Sequence, residues 1–137
     1  RAKEALRLGS IDPILRYHAG VIVDVDLALL EADHGDPAKA LADATAGYAA
    51  TPTVRAADAI AWALHRLGRD EEAQKRAKEA LRLGSIDPIL RYHAGVIEAS
   101  LGDAKSARRD LELALATDPG FSASGAADAR RLLATLK

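Results

Sequence analysis

The chain has 137 residues, 49% of them hydrophobic, and a formal net charge of −1, which suits one compact domain or one short repeat array. So small a charge gives no strong attraction to nucleic acid or to anionic lipid, and neither is an expected partner. The chain has no cysteine, which excludes disulfides and thiolate metal sites, and without a signal peptide or a long uncharged apolar run it is expected to be soluble and of cytoplasmic type.

Glycine and aspartate mark the predicted helix ends along the chain. Glycine tolerates the left-handed conformation that follows many helix C-termini, and five glycines follow helix-forming stretches, at Gly9, Gly35, Gly68, Gly84 and Gly102. Aspartate before proline or alanine is typical of a helix start, and this pair occurs at Asp12, Asp36, Asp87 and Asp103.

The stretches between these marks are rich in Ala, Leu, Arg and Glu, which favour helix, and Val and Ile do not alternate as they do in strands. The pattern predicts helices near residues 2–8, 13–33, 37–49, 53–67, 70–83, 88–101, 104–117 and 124–136. Connections of two to five residues predict that consecutive helices pack as antiparallel hairpins. The expected fold class is therefore all-α.

A repeat of 33–34 residues underlies these hairpins. The turn glycines Gly35, Gly68 and Gly102 have this spacing. The second helix of each hairpin has one alanine with the same spacing, and these are Ala40, Ala73 and Ala107. A small residue at that place lets two helices approach closely. Two helices in each unit of this length indicate a stacked helical array.

Over residues 22–121 the chain resembles the tetratricopeptide repeat (TPR) family, most specifically in "AIAWALHRLGRDEEAQKRAKEAL" and "YHAGVIEASLGDAKSARRDLELALATDPGF". The family's turn glycine and its small residues fall on Gly68, Gly102, Ala73, Ala107, Ala80 and Ala114, and its closing proline falls on Pro52 and Pro119. The chain departs from the family where a bulky aromatic residue is replaced by Asp24, Ala57 and Arg91, and where Ser85 replaces a closing proline.

An identical copy of 22 residues sets this chain apart from an ordinary array. The segment "RAKEALRLGSIDPILRYHAGVI" occupies residues 1–22 and again residues 76–97. The copy begins and ends inside predicted helices, so the join at Ile22–Val23 falls within one long helix near 13–33, about 21 residues and ~30 Å in length. We interpret the chain as an engineered chimera of fragments from one TPR-like parent, with recent gene duplication as the alternative.

This interpretation predicts three parts in a single compact unit. Residues 1–22 are the grafted copy, residues 23–121 the TPR-like array, and residues 122–137 a C-terminal capping helix. The long helix is apolar on nearly every side around the join, where residues 19–30 read "AGVIVDVDLALL". If the first short helix leaves one face open, Val21, Val23 and Val25 are expected to form a homodimer interface.

The resemblance implies that the first helix of each hairpin faces a groove that holds a peptide. The matching positions here are Asp26, Leu29, Asp33, Arg55, Asp58, Trp62, His65, Arg66, Tyr92, His93 and Val96. Trp62 and Tyr92 are expected to give apolar contact, and Arg55 and Arg66 to hold a carboxylate. The family's Lys/Asn/Arg set for acidic C-termini is not found at matching places, and the alternative is a solvated groove with a half-buried tryptophan.

Neither a catalytic motif nor a metal motif is found. Glu31 and His34 share one predicted helix face, but a metal site needs three or four ligands. His18 and His93 occupy the same position of the two copies and are interpreted as packing residues. Since no Ser-His-acid set, phosphate loop or HExxH motif occurs, we expect no enzyme activity, no metal and no cofactor.

Two functions remain open from the sequence. The first is an engineered, non-catalytic TPR-like scaffold that tests or displays a grafted helical architecture and requires no partner. The alternative is a module that binds a peptide or a protein in the groove. Saturable changes in tryptophan fluorescence on addition of peptides would favour the module.

Overall fold

The computed structural model describes residue 25 and residues 27–136. The predicted helix at 2–8, the copied segment 1–22 and the first part of the predicted long helix 13–33 lie outside the described residues. Val21, Val23 and Asp26 lie outside them as well. The described residues form helices and no strand, so the predicted all-α class is confirmed.

Seven helices follow one another in the described part of the chain. Helix α1 is helical through residues 27–34. The other six are α2 (Pro37–Ala50), α3 (Val54–Arg66), α4 (Asp70–Ala80), α5 (Pro88–Ser100), α6 (Ala104–Thr117) and α7 (Ala123–Thr135). The prediction for α4 was three residues too long, because the backbone leaves the helix at Leu81, whose N–H donates to the carbonyls of both Ala77 and Lys78.

Three of the predicted helix starts are confirmed as N-caps. The side chains of Asp36, Asp87 and Asp103 accept hydrogen bonds from backbone N–H groups in the first turns of α2, α5 and α6. Such bonds satisfy N–H groups that have no partner inside the helix. Pro37 and Pro88 follow two of these caps and lack the N–H that would otherwise need a partner there.

The predicted glycine turns are confirmed at three positions and differ at one. Gly68, Gly84 and Gly102 have φ values of 78°, 74° and 84°, which favour glycine because a Cβ is disfavoured in this region. Gly35 does not have a positive φ. There the Glu31 carboxylate folds back over the turn and accepts the N–H of Asp36 at 2.8 Å, in space that a Cβ on Gly35 would enter.

The helices form two layers of a stacked array. Consecutive helices from α2 to α7 pack against each other, α3 also contacts α5, and α5 contacts α7. Helix α1 joins α3 through the hydrogen bond from Trp62 to Asp33. Helices α1, α3, α5 and α7 therefore form one layer, which we call the first layer, and α2, α4 and α6 form the other. This arrangement matters for function because it brings four helices distant in sequence to a common surface.

Small side chains at repeating positions allow this close packing. In the second layer Ala40, Ala73 and Ala107 are completely buried, as the repeat predicted. The first layer has its own small residues with the same spacing, at Ala28, Ala61 and Gly95, and all three are buried. At Gly95 the approach is tightest, because a Cβ there would lie 2.7 Å from Cγ of the fully buried Leu111 in α6.

We expect Gly95→Ala to lower the free energy of unfolding by about 1–3 kcal/mol, since the added methyl group overpacks the α5–α6 contact. Gly120→Ala is the matched control, because no atom lies within 4 Å of the added Cβ and the φ of Gly120 is not positive. Urea unfolding followed by circular dichroism measures both variants. Equal stability of the two would contradict the close approach seen here.

One of the three valines predicted to form a homodimer interface, Val25, is buried in the structure. Val25 is 7% exposed and belongs to the main hydrophobic core, together with Ala28, Ile60 and Ile97. A side chain packed in its own chain cannot also cover a second copy. For Val25 the prediction of an open apolar face is therefore wrong.

Candidate functional site

The first layer contains a cavity of about 240 Å³ that opens between its four helices. We call it the first-layer cavity. Its lining residues come from α1, α3, α5 and the N-terminal end of α7: Leu29, Asp33, His34, Trp62, Ile89, Tyr92, His93, Ser122, Ser124 and Gly125. The lining combines apolar side chains with hydroxyl, imidazole and carboxylate groups, the combination found in binding pockets.

Trp62 is the fixed centre of the cavity wall. Its ring stacks on His93 at 4.1 Å between centroids and on His65 at 5.0 Å. The indole Nε1 donates a hydrogen bond of 2.7 Å to Oδ1 of Asp33 on α1. Trp62 is 5% exposed and its polar atom is hydrogen-bonded, so it forms a rigid part of the cavity wall.

Behind this wall His93 is held by a buried carboxylate. Its Nδ1 lies 2.9 Å from both oxygens of Asp58 on α3, and the two residues are 5% and 1% exposed. A carboxylate can only accept, so Nδ1 of His93 bears the hydrogen that it donates to Asp58. The pair thus joins α3 to α5 and fixes the orientation of one wall of the cavity.

Tyr92 joins the cavity to the last helix. Its hydroxyl donates to Oδ2 of Asp128 on α7 at 2.7 Å, and its ring lies 5.5 Å from that of Phe121. Burial raises the pKa of the Tyr92 hydroxyl, and the hydrogen bond to Asp128 and the charges of Asp128 and Asp33 raise it further. The hydroxyl therefore remains a donor at neutral pH, beside two carboxylates.

The structure divides the groove residues expected from the sequence. Leu29, Asp33, Trp62, Tyr92 and His93 come together at the cavity. Four other expected residues do not line the cavity. Asp58 lies buried beneath His93, and His65 pairs through Nδ1 with Asp70 at 2.6 Å. Arg66 donates from Nε to the carbonyl of Ala32 at 3.0 Å, and Val96 packs on the core around Trp62. Arg55 is exposed in the first turn of α3 and is not a lining residue.

Sequence reasoning missed five lining residues. These are His34, Ile89, Ser122, Ser124 and Gly125. Ser122, Ser124 and Gly125 belong to the start of α7, which the sequence indicated as a cap and not as a fourth helix of the binding layer. The signal that could have found them is the layer order itself, since α7 follows α5 in the same layer.

On the other side of α5 lies a second cleft, of about 290 Å³, between α4, α5 and α6. At its floor Asp110 is fully buried and accepts from Nη1 of Arg91 at 2.9 Å and from Nε of Arg109 at 3.2 Å. Although burial opposes ionisation, hydrogen bonds from Arg109, Glu98 and Arg91 hold the pKa of Asp110 below its ordinary value. Asp110 is therefore a carboxylate at neutral pH.

Glu98 is the unusual group of this cleft. It is 9% exposed, and its Oε1 is buried without a hydrogen-bond partner. Burial, followed by hydrogen bonding to Asp110 and the charge of Asp110, raises the pKa of Glu98 to about 8. A protonated Glu98 that donates to Asp110 removes the unsatisfied oxygen, so the two acids share one proton at neutral pH.

The described residues contain no group of three or more His, Cys, Asp and Glu side chains arranged to hold a metal ion. Glu31 and His34 are the pair considered from the sequence as metal ligands. In the structure Glu31 Oε1 instead accepts a hydrogen bond from the Asp36 N–H. As for membranes, none of the helices in residues 25 and 27–136 combines the length and the apolar character needed to span one.

Comparison with solved structures places this architecture among known folds. PcrH from Pseudomonas aeruginosa matches with a TM-score of 0.67 and 20% sequence identity, over 85% of this chain and 90% of that one. The second TPR domain of human RPAP3, in complex with the HSP70 peptide SGPTIEEVD, matches with a TM-score of 0.63 and 22% identity, over 83% of this chain and 98% of that one.

The chain has a TPR-like fold. A third structure, PcrH in complex with the chaperone binding region of PopB, is similar to this TPR-like chain over 92% of its residues and over 100% of that chain, with a TM-score of 0.65 and 19% identity. No family model matches the sequence, and no curated protein matches it.

Proposed function

We propose that this TPR-like chain is a non-catalytic module that binds a peptide along its first layer. The observation on which this rests is the first-layer cavity, which four helices of one layer form and which both apolar and polar side chains line. Two of the similar structures contain a bound partner segment, an HSP70 peptide in one and the chaperone binding region of PopB in the other. Those partners are theirs; the shared fold supports the same mode of use here.

The size of the cavity supports a peptide side chain as its occupant. Pockets for whole small molecules usually span about 300–1,000 Å³, and this one is about 240 Å³. Such a volume suits one anchoring side chain, while the remainder of the peptide lies along the layer. Leu29 and Ile89 are half-buried in the wall and supply apolar contact.

Binding is measurable directly, since Trp62 is the chain's sole tryptophan and lines the cavity. We expect ten-residue peptides with one Leu, Ile or Phe in a Gly/Ser background to give saturable shifts in Trp62 fluorescence. Ser124→Leu fills the cavity from an exposed position on α7 and should weaken binding about tenfold or more, a loss of ~1.4 kcal/mol.

Ser100→Leu is the matched control for Ser124→Leu. It makes the same substitution at an exposed serine that ends α5 and does not line the cavity. Its affinity for the peptides should equal that of the unaltered chain. A flat fluorescence titration with every peptide of the panel, confirmed by calorimetry, would reject the binding function.

The identical 22-residue copy favours a second candidate, the engineered scaffold. In that proposal residues 1–22 are a graft, residues 23–121 are the array and residues 122–137 its cap. The contact of α7 with α5 and α6 supports the capping role. High thermal stability together with no peptide binding is the outcome that favours the scaffold over the module.

A further inference from the structure

The charges around the first-layer cavity indicate which peptides it prefers. With histidine counted as neutral, Asp33 is the charged side chain among the lining residues that the structure describes. It is exposed, and its Oδ1 accepts a hydrogen bond from Nε1 of Trp62. The cavity therefore presents a carboxylate beside the apolar side chains of Leu29 and Ile89.

A second carboxylate strengthens this potential. Asp128 accepts the Tyr92 hydroxyl at the α7 side, and the charges of both Asp128 and Asp33 act on that hydroxyl. Asp128 pairs with Arg131, whose Nη2 lies 2.8 Å from Oδ1 and whose side chain is 72% exposed. An exposed pair of this kind offsets little of the negative potential.

The arginines expected to attract an acidic peptide are not at this place. Arg66 donates from Nε to the Ala32 carbonyl at the end of α1, and Arg55 lies in the first turn of α3. Neither lines the cavity. A carboxylate-rich ligand would thus meet Asp33 without a facing cation from the described residues of the wall.

We infer that the first-layer cavity selects a peptide in which an apolar anchor side chain is flanked by arginine or lysine. The apolar side chain enters between Leu29 and Ile89, and the neighbouring cation lies against the Asp33 carboxylate. This inference rests on the proposed function and adds the chemical class of the partner. Complementary charge at the rim favours the right partner and disfavours acidic ones.

The test uses three ten-residue peptides that share one leucine in a Gly/Ser background and differ in its two neighbours, which are Arg, Gln or Glu. Trp62 fluorescence and calorimetry give each dissociation constant at 50 mM and at 500 mM salt. At low salt we expect the Arg peptide to bind about fivefold more tightly than the Glu peptide. The ratio should fall toward one at high salt, because salt screens exposed charges.

Asp33→Asn is the decisive variant. Its amide oxygen can still accept the Trp62 Nε1–H, so the wall geometry is preserved while the charge is removed. The Arg-to-Glu preference should drop to near one. Asp43→Asn makes the same charge change on α2, where Asp43 pairs with Lys39 away from the cavity, and should retain the preference; far-UV circular dichroism checks that both variants are folded.

The possible outcomes separate this inference from the function on which it rests. Tight binding of the Glu peptide, or a preference that survives Asp33→Asn, would overturn the basic-peptide class while peptide binding itself stands. If none of the three peptides shifts Trp62 fluorescence or releases heat, the binding function fails and the inference fails with it.

Discussion

Asp58→Ala is expected to lower the free energy of unfolding by about 3 kcal/mol, since it breaks a buried pair by removing one partner. The Nδ1–H of His93 would remain in the interior without its acceptor, and an unsatisfied buried donor costs about 1–3 kcal/mol by itself. Both side chains are nearly inaccessible, at 1% for Asp58 and 5% for His93. Chemical unfolding followed by circular dichroism measures the loss.

Two further variants show that the effect belongs to this buried pair. Asp58→Asn retains an oxygen that can accept the Nδ1–H, so it should recover part of the stability lost in Asp58→Ala. Asp43→Ala removes an exposed partner of Lys39, where the two side chains are 31% and 59% exposed, and should cost less than about 1 kcal/mol. An Asp58→Ala protein as stable as Asp43→Ala would contradict the structural role given to the pair.

The local features of this fold could be predicted because each depends on a few neighbouring residues. Asp36 and Asp87 cap their helices through N–H groups two residues away, so an Asp-Pro pair is sufficient to indicate them. The buried alanines Ala73 and Ala107 follow from the 33–34-residue repeat. Both kinds of signal are present in the sequence without any knowledge of the packing between helices.

The polar pairs could not be predicted in the same way. Asp58 and His93 are 35 positions apart, and both were expected to face the groove. Their contact depends on how α5 is rotated against α3, which the spacing of residues does not determine. The role of α7 was missed for a related reason, because α7 contributes to the cavity through its position in the layer and not through a motif.

Glu98 shows the same limit at the first position after the copied segment. The copy ends at Ile97, and the residue that follows is Glu98 after one copy and Val23 after the other. The sequence therefore permits either an apolar or an acidic side chain after this segment. The role of the acidic side chain at residue 98 depends on α6, which places Asp110 and Arg109 against Glu98.

Glu98→Gln is expected to stabilise the protein progressively as the pH rises. In the folded chain the pKa of Glu98 is about 8, and its ordinary value is 4.5. Between these values the folded state holds a proton that the unfolded state releases, so the free energy of unfolding falls as pH rises through this window. Glutamine cannot ionise, and its amide N–H can still donate to Asp110, so the variant avoids this loss.

The expected difference between the variant and the unaltered chain grows by on the order of 4 kcal/mol from pH 5 to pH 9, since about three pH units of this range lie below the folded pKa of about 8 and each corresponds to about 1.4 kcal/mol. Urea unfolding at pH 5, 7 and 9 measures it. The charged groups that face Glu98 and its cleft are Lys78 from α4, Arg91 from α5, and Asp103, Arg109 and Asp110 from α6 and its cap. All of these remain in the variant, so the subtraction removes their titration.

Glu112→Gln provides the matched comparison, because Glu112 is an exposed acid on the same helix α6. Its effect on stability should be small and nearly constant from pH 5 to pH 9, as is usual for exposed surface substitutions. A Glu98→Gln difference as flat as that of Glu112→Gln would show that Glu98 ionises freely in the fold. That result would contradict the inference that Glu98 and Asp110 share a proton. It would also contradict the link between α5 and α6 that this proton provides in the second cleft.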